Sequence, residues 1–271
     1  MKNLFRTYPD WTRLVVGAVL LAAALIGSGF IHLPYIPAGL LLVILVTWLL
    51  YRSENKNLTA LGFDLKRGHL LLIPAGLLLG MGSFLLSFYV GTLVRGDHIV
   101  VSHTTDWNGL LKAFWWVFPT AAVQDFIVVG YCYNKLIRLT NKWVATVAFG
   151  LFFISLHDVW GGNFVNVLFY AVGLFVGYLM FSTALLRSGS IWLVIGIHWG
   201  NNFTNSFLFT FSHTPTSWLY LSGQQQQNLN VWQAIGLFIA LNIGAAAVIA
   251  LVLLLWKTKD SLQLSDQKVV S

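Results

Sequence analysis

Charge is scarce in this chain: Asp, Glu, Lys and Arg together make up 9% of its 271 residues, where a soluble domain carries about a quarter. Cysteine occurs once, at Cys132, so no internal disulfide can form; a thiol near the inner end of an apolar helix is expected to be buried and inert. Glutamate also occurs once, at Glu54. There is no His-Glu-x-x-His stretch, so the helix-borne zinc signature of metalloproteases is missing. Acids number nine, and Asp10, Glu54, Asp64, Asp97, Asp106, Asp260 and Asp266 fall in expected loops or tails. What is abundant is apolar: 57% hydrophobic residues and a mean hydropathy of +0.74. This composition excludes an ordinary soluble domain and predicts an all-α, polytopic membrane helix bundle.

A membrane-crossing helix needs ~20 mostly apolar residues. Runs of that kind lie near 14–32, 35–51, 70–94, 109–134, 143–158, 163–186, 190–211 and 231–256, which predicts about eight transmembrane helices. The first run follows basic residues as a signal peptide would. It is longer than a typical signal core and more spans follow, so it is expected to stay as a helix. Basic residues divide unequally between the two sides of this arrangement: 14 of the 16 share the side of both termini, and only Arg95 and Lys112 lie opposite. By the positive-inside rule both termini are expected in the cytoplasm. The net charge of +7 is then membrane topology that favours an anionic bilayer surface, and no nucleic-acid partner is expected.

The chain reads as a single membrane domain over 1–271, with 257–271 a flexible cytoplasmic tail. Residues around Leu61-Gly62-Phe63 suggest a short interfacial turn. Gln224 to Gln227 lie in an expected outer loop, 212–230, that lacks basic residues. Pro119, inside the fourth run, is expected to bend that helix beside Gln124 and Asp125. Gly173 and Gly177 form a small-xxx-small pair suited to close helix packing within the monomer. Tryptophans such as Trp115, Trp116, Trp143, Trp192 and Trp256 read as an interfacial belt.

Against this apolar background, Asp125, Asp158, His157 and His198 sit within the expected spans. Ionisable groups at membrane depth are costly and mark function. Asp158 is expected to be a solvated acid at the outer edge, since Gly161-Gly162-Asn163 reads as a turn. His198 and Asn202 are four residues apart, hence on one helix face. Gln124, Asp125, His157, His198 and Asn202, drawn from three helices, are expected to meet in one cavity. Such a set supports hydrolysis. A carboxylate or imidazole takes a proton from water, and a histidine with an asparagine donates to a developing oxyanion. Two histidines with carboxylates could also ligate a metal, but without the usual spacing none is expected, nor any other cofactor.

Several stretches, taken together, resemble the CPBP family of intramembrane proteases, the CAAX-protease and bacteriocin-processing group also called Abi. They are Phe153-Ile154-Ser155-Leu156-His157, His198-Trp199-Gly200-Asn201-Asn202, the Gly173–Gly177 helix and Arg187-Ser188-Gly189-Ser190-Ile191-Trp192, with Leu61-Gly62-Phe63 upstream. The resemblance covers about 58–210, taken as a CPBP-like core. It implies an intramembrane endopeptidase in a bacterial cell membrane, acting on a peptide or protein, with water activated by a glutamate and the histidine corresponding to His157. The chain departs from the family's Glu-Glu-x-x-x-Arg motif. Gln124 replaces the first glutamate, Asp125 the second and Val129 the arginine, so weak or lost proteolysis is expected. Three readings stay open: an impaired peptidase, a non-catalytic relative that holds a peptide (as in bacteriocin immunity), and a proton-coupled transporter, which the missing inverted repeat disfavours.

Overall fold

A computed structural model describes residues 9–28, 31, 37–158, 164–210, 212–222, 231–238 and 244–255. The expected turn at 161–163, the glutamine run and the tail lie outside these residues.

The helices are α1 (Pro9–Ser28), α2 (Ala38–Arg52), α3 (Arg67–Leu70), α4 (Leu72–Arg95), α5 (Trp107–Asp125), α6 (Tyr131–Leu139), α7 (Lys142–Ser155), α8 (Phe164–Ser188), α9 (Ile191–Phe203), α10 (Val231–Phe238) and α11 (Ala245–Leu255). Wide-wound π segments, Phe126–Gly130 and Thr204–Leu208, continue α5 and α9. By length and composition, four helical stretches among the described residues are able to cross a membrane: Pro9–Ser28, Arg67–Leu93, Trp107–Leu139 and Val167–Ser188. Ala38–Arg52 and Lys142–Ser155 are shorter apolar helices. The last two expected runs are occupied by α9 with its π segment and by α10 with α11. The protein is a membrane-helix bundle. Its outer surface suits lipid, with Leu45, Leu78, Leu111 and Leu151 turned outward, while Thr47, Ser83 and Asp125 are buried.

Local sequence sets the helix starts. Asp106 caps α5 by accepting from the Gly109 amide. Asn141 caps α7 by accepting from Trp143 and Val144. Ser190 caps α9 by accepting from Trp192. Each satisfies amide groups that a helix start leaves unpaired. The change of winding in the fourth run begins at Phe126, seven residues beyond the buried Pro119 through which α5 passes. A π turn leaves carbonyls without their usual partners. Here Tyr178 Oη donates to the Val128 carbonyl at 3.1 Å and Asn134 Nδ2 to that of Gly130 at 3.0 Å.

One feature absent from the sequence reading is a small sheet of order β1-β3-β2 at the end of the bundle where α9 finishes. β1 (His98–Val101) runs antiparallel to β3 (Leu219–Ser222), and β2 (Phe209–Thr210) runs parallel to it. Phe209 and Thr210, read from sequence as the end of a helix, are therefore strand.

The tightest packing joins α4 to α9. A Cβ added at Gly80 would stand 2.1 Å from the Ile197 carbonyl oxygen, and one at Gly200 2.2 Å from that of Leu77. One turn earlier, a Cβ at Gly76 would stand 2.5 Å from the Leu193 carbonyl oxygen and one at Gly196 2.5 Å from that of Ile73. Gly76-x-x-x-Gly80 and Gly196-x-x-x-Gly200 thus let two backbones touch, as small residues do between membrane helices. Of the pair expected to play this part, Gly173 and Gly177, the second does not. A Cβ at Gly177 would meet nothing within 4 Å, and both glycines line a cavity.

Candidate active site

At the opposite end from the sheet, the interfacial turn and the start of α9 lock together. Gly62 has φ +60°, a backbone conformation glycine accepts readily, and a Cβ there would collide with the Gly189 carbonyl. Ser190 Oγ donates to the Gly62 carbonyl at 2.9 Å, and Trp192 Nε1 to that of Asp64 at 3.0 Å. Phe63 stacks on Trp192 with ring centres 4.3 Å apart. Trp192 is therefore a packing residue of this joint. The joint fixes where α9 begins, and so the height of His198 two turns further along.

A cavity of about 520 Å³ opens between α4, α7, α8, α9, its π segment and the last two helices. His157, His198 and Asn202 line it. So do Ser83, Asn201, Asn205 and Ser206, with Phe153, Phe181 and Tyr170 among its aromatic walls. The sequence reading missed Asn201, Asn205 and Ser206. Their spacing of three to eight residues from His198 on one helix was the signal that could have found them.

Asp125 does not face this cavity as expected. It is wholly buried at the end of α5, behind His198, with its Oδ1 2.9 Å from His198 Nδ1. Its Oδ2 has no hydrogen-bond partner among the described residues. Phe181 lies against the His198 ring, with centres 4.6 Å apart and planes 30° from parallel. The missing arginine at Val129 thus leaves Asp125 with an imidazole, not an empty site, for a partner. Gln124, one residue earlier, is half-buried and is not among the residues lining the cavity, where the sequence reading expected it at the edge. Asp158 is exposed, as expected for a solvated acid.

His157 follows the end of α7, and its Nδ1 lies 2.8 Å from the Phe153 carbonyl oxygen. A carbonyl can only accept, so Nδ1 carries the proton, and the neutral ring keeps its lone pair on Nε2. Phe153 stands between the two imidazoles, its ring centre 4.6 Å from that of His157 and 6.4 Å from that of His198. Both rings are thus held by Nδ1, which leaves Nε2 of each to the cavity. Among the described residues no three His, Cys, Asp or Glu side chains group as a metal site would require.

Residues 106–204 match the family described as Type II CAAX prenyl endopeptidase Rce1-like. This stretch is a CPBP-family segment. It contains Gln124, Asp125, His157, His198 and Asn202. No curated protein matches the chain, and no solved structure does. The CPBP segment runs from the cap of α5 to the first residue of the π segment after α9, so it takes in most of the cavity's polar lining.

Proposed function

We propose that this chain is a CPBP-type intramembrane endopeptidase-like protein that hydrolyses peptide bonds with water inside the cavity, at a low rate. The observation that carries this reading is the pairing of His157 and His198 in one cavity, each with Nδ1 already engaged. His157 Nε2 takes the proton of the attacking water, a general-base role. His198 and Asn202 donate to the oxyanion of the tetrahedral intermediate. Asp125 orients His198 through its Nδ1 and is the counter-charge of the imidazolium, the form in which Nε2 donates at the same time. The proton on His157 then passes to the leaving amine. The peptide nitrogen leaves as an amine and the carbonyl carbon as a carboxylic acid, so the step needs only water. No cofactor and no metal enters this scheme.

The low rate follows from the missing carboxylate. Gln124 cannot accept a proton and stands outside the cavity lining, which leaves His157 as base without the glutamate of the resembled family. The chain's location in this reading is a bacterial cell membrane, which it crosses several times with both termini cytoplasmic. Its partners are the bilayer and a peptide or protein substrate. The core spans 58–210 within one membrane domain.

The test is peptide-library cleavage by the detergent-purified protein beside His157→Gln. The reading predicts slow cleavage by the parent and a loss of about 10²–10⁴-fold in the variant, which lacks the general base. Peptide binding with no cleavage by either protein would replace it with the peptide-holding reading.

A further inference from the structure

The cavity is graded along α9. His198 is 3% exposed. Asn201 and Asn202 are half-buried, and Asn205 and Ser206 are exposed. All five line the cavity. They rise toward the sheet: His198 to Asn205 is ~10 Å at ~1.5 Å per residue. In the other direction α9 is dry. Ile191, Leu193, Val194, Ile195 and Ile197 are each 0% exposed, and the joint of Phe63, Ser190 and Trp192 closes that end. The closed end is also the basic end. Lys135 pairs with Glu54 at 2.6 Å and with Asp10 at 2.9 Å, and Arg138 stands 3.6 Å from Glu54.

The positive-inside rule puts the basic end in the cytoplasm. We infer that the cavity is served from the extracytoplasmic side and takes an extended peptide segment presented on that face. Carboxamides suit this ligand. Each asparagine offers both a donor and an acceptor, as a peptide main chain does. An extended chain advances ~3.3 Å per residue, so the ladder spans about three residues. Recognition through the main chain selects for extension and access rather than for one side chain. The inference rests on the hydrolytic reading for the fate of the peptide, and on the proposed topology for the side of entry.

Single cysteines test it, because native Cys132 is buried and gives little background. Asn205→Cys and Ser206→Cys are each exposed to a membrane-impermeant cationic methanethiosulfonate, in intact cells and in inside-out vesicles. Thr104→Cys near the sheet and Lys66→Cys at the basic end, both exposed positions, report topology. The expected result is labelling of Thr104→Cys, Asn205→Cys and Ser206→Cys from outside and of Lys66→Cys from inside. If the two reporters behave so while both cavity cysteines label only from inside, or from neither side, the inference is overturned and the hydrolytic reading stands. Reversed reporters would overturn the topology, and with it the side of entry. Labelling is read without cleavage, so an absence of proteolysis does not bear on the result.

Discussion

Glu54, the chain's single glutamate, reads from sequence as one loop acid among several. In the folded protein its side chain is only 7% exposed and holds Lys135, with Lys56 and Arg138 within 4 Å. Tyr131 Oη donates to the same carboxylate. Burial alone pushes this carboxyl up, but the hydrogen bonds from Lys135 and Tyr131 and the charges of Lys135 and Lys56 outweigh it and hold it below the usual carboxylate range. A folded-state pKa below the unfolded one contributes stability above the unfolded value of ~4.3, and that contribution is lost as pH falls through the folded value. Melting in detergent should therefore weaken in acid for the parent. Glu54→Gln should be less stable by about 2 kcal/mol at neutral pH and show a weaker acid dependence than the parent; an unchanged melting profile would contradict this hub. The same reasoning explains what could be read of the active groups. His157, His198 and Asn202 stood out because polar groups are rare in apolar runs. That Asp125 turns to His198 and away from the cavity depends on how α5 meets α9, which no local pattern encodes.

Among helices, the informative contact is α4 against α9. The sequence marks many glycines and does not say which of them meet another backbone. Gly173 and Gly177 fit the packing motif, yet Gly177 meets no neighbour and both line the cavity; Gly76, Gly80, Gly196 and Gly200 bring His198 to its place. Substitution separates the two roles. Gly200→Ala drives a methyl into the Leu77 carbonyl and should cost about 1–3 kcal/mol in thermal unfolding. Gly177→Ala meets nothing within 4 Å and should leave the melting temperature unchanged while narrowing the cavity. Equal losses in both would contradict this division. The first π segment was also hidden from sequence, since its repair comes from distant Tyr178 and nearby Asn134 rather than from a local signature.

Across the bundle as a whole, the apolar runs located the helices to within a few residues, because spanning length and hydropathy are local properties. The small sheet was not legible: its strands are two to four residues long, and β1 pairs with β3 across more than a hundred residues of sequence. The family segment of 106–204 lies inside the 58–210 core read from the motifs. The account stands on the claim that the two cavity imidazoles perform hydrolysis. The direct measurement is the rate of peptide cleavage by the purified protein beside His157→Ala and His198→Ala, each shown to be folded by its melting profile. The account predicts slow cleavage by the parent, a loss of about 10²–10³ in His198→Ala for removal of an oxyanion donor, and no detectable cleavage in His157→Ala. Cleavage at the parent rate in both variants would contradict it.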